Sequence, residues 1–160
     1  MIVKEYTGRA IGAAFLLLGN YADALDASQD AFVRAWRNIR RFDGKGTFYT
    51  WYSAILRNTC ISRLRRRPRN RPVQLANDYP GPESISDPGV LAERNERIDR
   101  IWQAVLELST KHREIIVMSH FQQMSYKQIA CVLKVPIGTV MSRLYNARKT
   151  LRAKLACDRP

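Results

Sequence analysis

The sequence is poor in the residues that build metal centres and disulfide frameworks. Among its 160 residues there are three cysteines and two histidines, and none of them stand at the spacing of a zinc or disulfide motif. It also lacks clustered carboxylates and any pairing of a nucleophile with a base, so we expect no enzyme, no cofactor and no metal. Buried free thiols in a reducing compartment explain the cysteines best.

Long hydrophobic runs are missing as well. The longest spans residues 13–18, far short of the ~20 residues that a helix needs to cross a bilayer. The N-terminus lacks the basic flank and the cleavage site of a signal peptide. We therefore expect a cytoplasmic protein with no membrane insertion.

Proline and glycine are scarce except in one segment. Residues 67–89 contain Pro68, Pro72, Pro80, Pro82, Pro88, Gly81 and Gly89. Prolines remove backbone donors and stop helices, so this composition predicts an extended, flexible linker. The resulting organisation is an N-terminal domain over residues 1–67, a linker over 68–95 and a C-terminal domain over 96–160.

Acidic residues are too few to balance the basic ones. The chain has 27 Lys and Arg against 14 Asp and Glu, a net charge of +13. Residues 1–67 and 96–160 each carry 12 basic and 5 acidic side chains, whereas 68–95 carry 3 and 4. Two basic blocks around a neutral spacer favour two nucleic-acid contacts joined by a connector. The alternative is that the excess of positive charge only keeps the protein soluble.

Apolar residues recur at helical spacing almost throughout, and sustained period-two alternation is missing. The predicted fold class is therefore all-α, as two small helical domains joined by a flexible linker. In a helix over residues 23–39, the face expected to be buried carries Leu25, Phe32, Trp36 and Ile39. In a helix over residues 47–66, the expected core residues are Tyr52, Leu56, Cys60 and Leu64, with Ile61 on the opposite side. Phe48 and Trp51 are also assigned to the core.

The C-terminal block carries a helix-turn-helix pattern. Ser125 and Gln128 stand at the spacing of a capping box, Lys134 begins a turn, and Pro136 suits the first turn of the next helix. That helix is expected to bury the apolar stripe Ile137, Val140, Leu144, Ala147 and Leu151. Its opposite face is polar with cations at the margins, as a major-groove recognition helix requires. An ordinary helical hairpin with a solvated basic face would give the same pattern.

Together these segments resemble the extracytoplasmic-function group of bacterial sigma factors, in the family's order and over nearly the whole chain. Residues 23–36 (DALDASQDAFVRAW) resemble the polymerase-binding helix of region 2. Residues 41–43 (RFD), 48–51 (FYTW) and 55–58 (ILRN) resemble its promoter-melting segment. The region 4 match lies in residues 112–114 (HRE), 125–126, 129–130 and 136–148 (PIGTVMSRLYNAR).

The resemblance implies a sigma factor that binds core RNA polymerase and directs promoter recognition and transcription initiation in a stress or extracytoplasmic response. The implied partners are core RNA polymerase, promoter DNA and an anti-sigma factor.

The polymerase-docking face would be Asp26, Gln29, Asp30 and Val33. The pocket for a base of the downstream element would be Arg34, Asn38, Phe42 and Asn58, with core packing as the alternative role of Phe42. The phosphate contacts of region 2 would include Arg57, Arg63 and Arg65. In region 4 the implied base readers are Met141, Ser142, Tyr145 and Asn146, and the phosphate contacts are Arg143, Arg148 and Lys149.

Two other classes of protein compete with this interpretation. A stand-alone helix-turn-helix regulator would use residues 1–67 for dimerisation or sensing, and would bind specific DNA without polymerase. A nuclease would need a catalytic constellation, which the sequence does not offer.

Overall fold

The part of the chain that the structure describes forms seven α-helices, one short 3₁₀ turn and one π turn, joined by loops. The computed structural model describes residues 2–66 and 88–157, with side chains described for 6–66 and 97–156. The helices are α1 (Ile2–Leu18), α2 (Tyr21–Arg37), α3 (Phe48–Arg66), α4 (Pro88–Leu106), α5 (Thr110–Ile116), α6 (Tyr126–Leu133) and α7 (Ile137–Cys157). The 3₁₀ turn spans Ile39–Arg41, and the π turn spans Val117–Phe121. We call α1–α3 the N-terminal unit and α4–α7 the C-terminal unit.

A stripe of small residues brings α2 against α1. Asn20 begins α2 by accepting a hydrogen bond from the backbone N–H of Asp23 at 2.9 Å, which satisfies one of the unpaired donors of the first turn. The residues that α2 buries are Ala24, Ala27, Ser28, Ala31 and Ala35. Because alanine side chains are short, the two helix backbones can approach closely along this face.

The assignment of Trp36 to the core was wrong. Its side chain is 79% exposed, Ile39 is exposed as well, and Leu25 and Phe32 are only half-buried. The alanine stripe occupies the centre of the buried face of α2, so the larger residues lie at its margins or point outward. A pattern weighted by side-chain size therefore misplaced the buried face.

Most of the expected core of α3 is confirmed. Tyr52, Leu56 and Cys60 are fully buried, and Leu64 is half-buried. Ile61 is buried too, contrary to expectation, because the side of α3 on which it lies faces the C-terminal unit. Half-buried rings of Phe48 and Trp51 pack against the core.

The C-terminal unit begins earlier than the sequence suggested, because α4 starts at Pro88 and residues 88–95 of the predicted linker are helical. The rest of that linker, up to residue 87, lies outside the described residues. Ser109 caps α5 by accepting from the N–H of His112. The α-helix that Ser109 caps ends at Ile116, and the chain continues as the π turn to Phe121.

The helix-turn-helix formed by α6 and α7 follows the predicted pattern closely. Both hydrogen bonds of the capping box between Ser125 and Gln128 are present, and Lys134 makes the turn in the left-handed region at φ 54°. In α7 the residues Val140, Leu144 and Ala147 are buried. Ile137 is 41% exposed, contrary to expectation, because it starts the helix at the turn, ahead of the buried stripe. Cys131 is also exposed rather than buried.

The two units share one hydrophobic core. The ring of Phe15 in α1 lies 5.7 Å from that of Trp102 in α4, and the buried cluster runs continuously from α1 to α7. Arg113 in α5 donates to the carbonyl of Leu17 at the end of α1 at 2.9 Å. It also donates to the carbonyls of Leu106 and Leu108, so one guanidinium joins the ends of two helices from different units.

Candidate nucleic-acid interface

A surface cavity of about 300 Å³ lies between α2 and α3. Its lining residues are Arg34, Asn38, Arg41, Trp51, Ile55 and Asn58. Three of the four residues predicted to form a base pocket therefore converge here. The fourth, Phe42, does not line the cavity, and instead contacts Phe48 and Trp51 in an aromatic cluster with ring centroids 6.0 and 5.6 Å away.

This cavity has the chemistry to hold an unstacked nucleobase. Trp51 and Ile55 supply an apolar wall, and aromatic side chains stack on bases of any sequence. Asn58 offers both a donor and an acceptor to the edge of a base. Arg34 and Arg41 place positive charge at the rim of the cavity, where the phosphate backbone of the DNA strand would lie. The amide of Asn38 is held in place by donating to the carbonyl of Arg34 at 2.8 Å.

Sequence reasoning missed Arg41, Trp51 and Ile55 in this pocket, although a signal was present. The α2 side contributes positions 34, 38 and 41, and the α3 side contributes positions 51, 55 and 58. Both sets follow the i, i+4, i+7 spacing of one helix face. Extending the predicted residues by up to two turns along each side would have found the missing members.

The predicted docking face lies exposed on α2. Its members Asp26, Gln29, Asp30 and Val33 are all exposed. Arg63 of α3 donates to Asp30 at 2.5 Å and lies 3.8 Å from Asp26. The hydrogen bond to Asp30 is the main cause that raises the pKa of Arg63 above its ordinary value.

Arg63 and Trp36 both change the description of the predicted docking face. Arg63, predicted to contact DNA phosphate, already donates to Asp30 and forms an ion pair with Asp26. Trp36 lies seven residues after Gln29 and three after Val33, so it extends the same face by one helical turn.

The predicted reading face of α7 is open to solvent. Met141, Ser142, Tyr145, Asn146 and Lys149 are exposed, and Tyr145 reaches 69%. A side-chain carbon added at Gly138 would meet nothing within 4 Å, so the start of this helix can approach another surface closely. Ser142 donates to the carbonyl of Thr139 at 3.1 Å, which leaves its oxygen able to accept.

A second cavity, of about 420 Å³, lies along this face. Its lining includes the predicted Met141, Tyr145, Arg148 and Lys149, and adds Tyr126, Leu144 and Arg152. Arg148 donates through Nε to Nε2 of His120 at 3.3 Å. Burial first, and then the charge of Arg148, lower the pKa of His120 below its ordinary value, which favours the neutral ring that can accept this bond.

The remaining predicted phosphate contacts lie between the units. A cleft of about 450 Å³ is lined by Arg57, Arg65 and Arg143, together with Lys111 and Glu114. Arg57 donates to the buried carboxylate of Glu114 through Nε at 2.9 Å and Nη2 at 2.8 Å. A third bond runs from its Nη1 to Oδ1 of Asn58 at 3.0 Å.

Within residues 2–66 and 88–157 we find no cluster of three or more His, Cys, Asp or Glu side chains able to hold a metal ion. In the same part of the chain, none of the helices has the length and apolar character required to span a membrane.

Comparison with known proteins places this geometry in a family. The description Sigma-70 region 2 matches residues 2–70, and Sigma-70, region 4 matches residues 98–151. The ECF RNA polymerase sigma factor SigW of Bacillus subtilis is 32% identical over 96% of this chain and 87% of its own length. This chain belongs to the ECF RNA polymerase sigma factors. The resemblance stated from the sequence is confirmed.

Other relatives agree with this membership. The ECF RNA polymerase sigma-E factor of Escherichia coli K12 is 30% identical over 83% of this sigma factor and 74% of its own length. The sigma factor RpoE of Bartonella quintana, solved with the anti-sigma factor NepR, has a TM-score of 0.79 at 24% identity. The alignment covers 98% of this chain and 96% of RpoE. CnrH, solved with the cytosolic domain of CnrY, has a TM-score of 0.73 at 26% identity, and 99% and 87% of the two chains are covered.

These findings confirm the all-α fold with region 2 and region 4 domains and the function expected of it. The protein is a sigma factor that directs transcription initiation by RNA polymerase. Sigma factors are DNA-binding regulatory subunits, and the helix-turn-helix of α6 and α7 belongs to region 4.

Proposed function

We propose that this sigma factor opens promoters by holding one base of the downstream element in the cavity between α2 and α3. The observation that supports this most is the convergence of Arg34, Asn38 and Asn58 from two helices on one cavity beside the ring of Trp51. Extracting a base from the stack costs a few kcal/mol. Stacking on an aromatic side chain is worth about 1–3 kcal/mol per base, so the pocket can offset that cost.

The exposed face of α2 docks on core RNA polymerase. Asp26 and Asp30 offer charge-assisted hydrogen bonds to basic side chains of the partner. Arg63 keeps both carboxylates in place, so less side-chain freedom is lost when the partner binds. Trp36 provides the large apolar contact surface that interface anchors use.

The exposed face of α7 reads the upstream element as duplex DNA. Met141, Ser142, Tyr145 and Asn146 reach base edges in the major groove, while Arg148 and Lys149 contact phosphates. Tyr126 and Arg152, which line the same cavity, extend the phosphate contacts toward the start of α6 and along α7.

The catalytic chemistry belongs to the polymerase, and the sigma factor acts in the cytoplasm in a stress or extracytoplasmic response. RpoE and CnrH were solved in complexes with NepR and with the cytosolic domain of CnrY. By analogy with these relatives, an anti-sigma factor binds this chain and keeps it from the polymerase.

The pocket is tested with a fluorescent base analogue placed at each position of the downstream element. Polymerase and wild-type sigma factor should raise the fluorescence of the analogue at one position, where the base leaves the stack. Asn58→Ala should lose that signal, and the matched control Ser62→Ala, exposed one turn further along α3, should keep it. Equal signals from the two variants would contradict the assignment of the pocket.

A further inference from the structure

The exposed face of α7 carries two neighbouring stripes of different chemistry. Ser142 and Asn146, one helical turn apart, form a polar stripe. Met141 and Tyr145 form an apolar stripe beside it, and their side chains are 54% and 69% exposed. Among the described side chains of the C-terminal unit, no other large hydrophobic one is as exposed. Contacts to phosphates and to the hydrogen-bonding groups of bases do not account for this apolar stripe.

Both residues of the apolar stripe line the cavity of about 420 Å³. Tyr126, at the start of α6, and the buried Leu144 supply the rest of its apolar lining. The remaining lining residues are the three cations Arg148, Lys149 and Arg152. Because no acidic side chain among the described residues lines this cavity, it suits an occupant that carries an apolar group close to negative charge.

Duplex DNA offers this combination in its major groove. The C5-methyl of thymine is an apolar group on a base edge there, and the phosphates of the backbone lie at the margins of the groove. A recognition helix inserts its N-terminal residues into the groove, and Met141 lies in the second turn of α7. A side-chain carbon added at Gly138, one turn earlier, would meet nothing within 4 Å, which leaves room for a base edge beside Met141.

We propose that Met141, with Tyr145 beside it, makes this sigma factor select a thymine in the upstream element by packing against the C5-methyl group. A methionine side chain suits this contact, because it is flexible and adapts to irregular apolar surfaces. The polar stripe fits the same kind of element, since Asn146 can bond to an adenine, and an A·T pair presents adenine and the thymine methyl together in the groove. The inference rests on the proposed reading of the upstream element by α7.

The first test changes only the DNA. Deoxyuridine in place of thymine removes the methyl group, so a misfolded variant cannot explain the result. A promoter is selected with core polymerase and the full chain from a library randomised in the upstream element, and deoxyuridine then replaces each thymine of that element in turn. At one position the affinity of the polymerase with its sigma factor, measured by competition with labelled promoter, should fall about fourfold, the factor for burying one methyl group. Unchanged affinity at every position, or selected elements without a preferred thymine, would overturn the proposal.

Variants of Met141 connect the methyl group to this side chain. Met141→Ala should bind the thymine promoter more weakly than wild type does, and should no longer distinguish it from the deoxyuridine promoter. The matched control Met141→Leu keeps an apolar side chain of similar volume and should keep the preference for thymine. Lys149→Ala should weaken binding to both promoters equally, because a phosphate contact does not sense the methyl group. An undiminished preference for thymine in Met141→Ala would overturn the assignment of this residue.

This inference and the proposed reading of the upstream element fail in different ways. If Asn146→Arg shifts the base preference while no deoxyuridine substitution lowers the affinity, α7 reads the element and the methyl contact is rejected. If Asn146→Arg, Lys149→Ala and the deoxyuridine substitutions all leave binding unchanged, α7 does not face the groove, and both proposals fail.

Discussion

At the scale of single residues, Trp36 is the side chain whose position changes the interpretation most. A tryptophan that is 79% exposed leaves a large apolar surface in water, which is costly unless a partner covers it. It lies on the same face of α2 as Val33 and Gln29, next to the carboxylates held by Arg63. We therefore expect it to anchor the contact with polymerase.

Trp36→Ala should weaken binding to core polymerase by about 2 kcal/mol or more, the typical cost of truncating an interface anchor, or roughly 30-fold. Competition with a labelled sigma factor for core polymerase measures this. Tyr145→Ala, an exposed aromatic on α7, is the control and should bind polymerase normally. Normal competition by Trp36→Ala would show that this residue lies outside the interface.

Asn146 should set base preference in the upstream element. Asn bonds the N6 and N7 edge of adenine, whereas Arg prefers the O6 and N7 edge of guanine, and each such pair discriminates by about 1–3 kcal/mol. Asn146→Arg should therefore shift preference toward guanine at one position, as read by transcription from a promoter library randomised in that element. Lys149→Ala should weaken all sequences about equally. An unchanged preference in Asn146→Arg would mean that its side chain does not face the groove.

At the scale of helices, the pairing of α2 with α3 fixes the docking face. Asp30→Arg would place a cation against Arg63 and reverse the charge offered to polymerase, so binding to core polymerase should be lost. The fold should survive, because an exposed ion pair contributes only about 0–1 kcal/mol. Co-purification with polymerase and circular dichroism measure the two effects.

The matched control for that charge reversal is Asp43→Arg, in the exposed loop before α3 where Asp43 lies 4.0 Å from Lys45. It should co-purify with polymerase as wild type does. Co-purification of Asp30→Arg at the wild-type yield would refute the docking assignment.

The capping box at the start of α6 should carry a measurable share of the stability. Ser125→Ala removes the acceptor of the Gln128 N–H, and losing such a cap costs about 1 kcal/mol. The free energy of unfolding in urea should fall by that amount. Ser142→Ala, on the exposed face of α7, should change it by less than about 0.5 kcal/mol. Equal stabilities of the two variants would contradict the role of the cap.

Much of the helical structure was predictable from the sequence, because the residues at which helices begin are set by local hydrogen bonding. The Ser125 cap, the Lys134 turn and the stripe Val140, Leu144 and Ala147 were all expected. The π turn after Ile116 was not, because apolar spacing barely changes when one residue is added to a turn. The exposure of the Trp36 side chain was not predicted, because α2 packs through a stripe of alanines whose side chains have little apolar surface.

At the scale of the whole molecule, the sequence indicated two basic blocks and a connector, but not how the blocks meet. The shared core, with Phe15 against Trp102, and the pair between Arg57 and Glu114 depend on residues 57 or more positions apart. No local pattern encodes such contacts. Three of the four residues predicted for the base pocket line one cavity, because they repeat at helical spacing on two neighbouring stretches of the chain, while the engagement of Arg57 and Arg63 could be seen only in three dimensions.

The central claim is that this chain gives core polymerase the ability to open promoters, using the pocket between α2 and α3. Run-off transcription with purified core polymerase on a promoter selected from a randomised library tests it most directly. We predict a transcript of defined length only when wild-type chain is added, its loss in Asn58→Ala, and its retention in Ser62→Ala. A transcript of equal yield from Asn58→Ala, or none from the wild-type chain on any library member, would contradict the account.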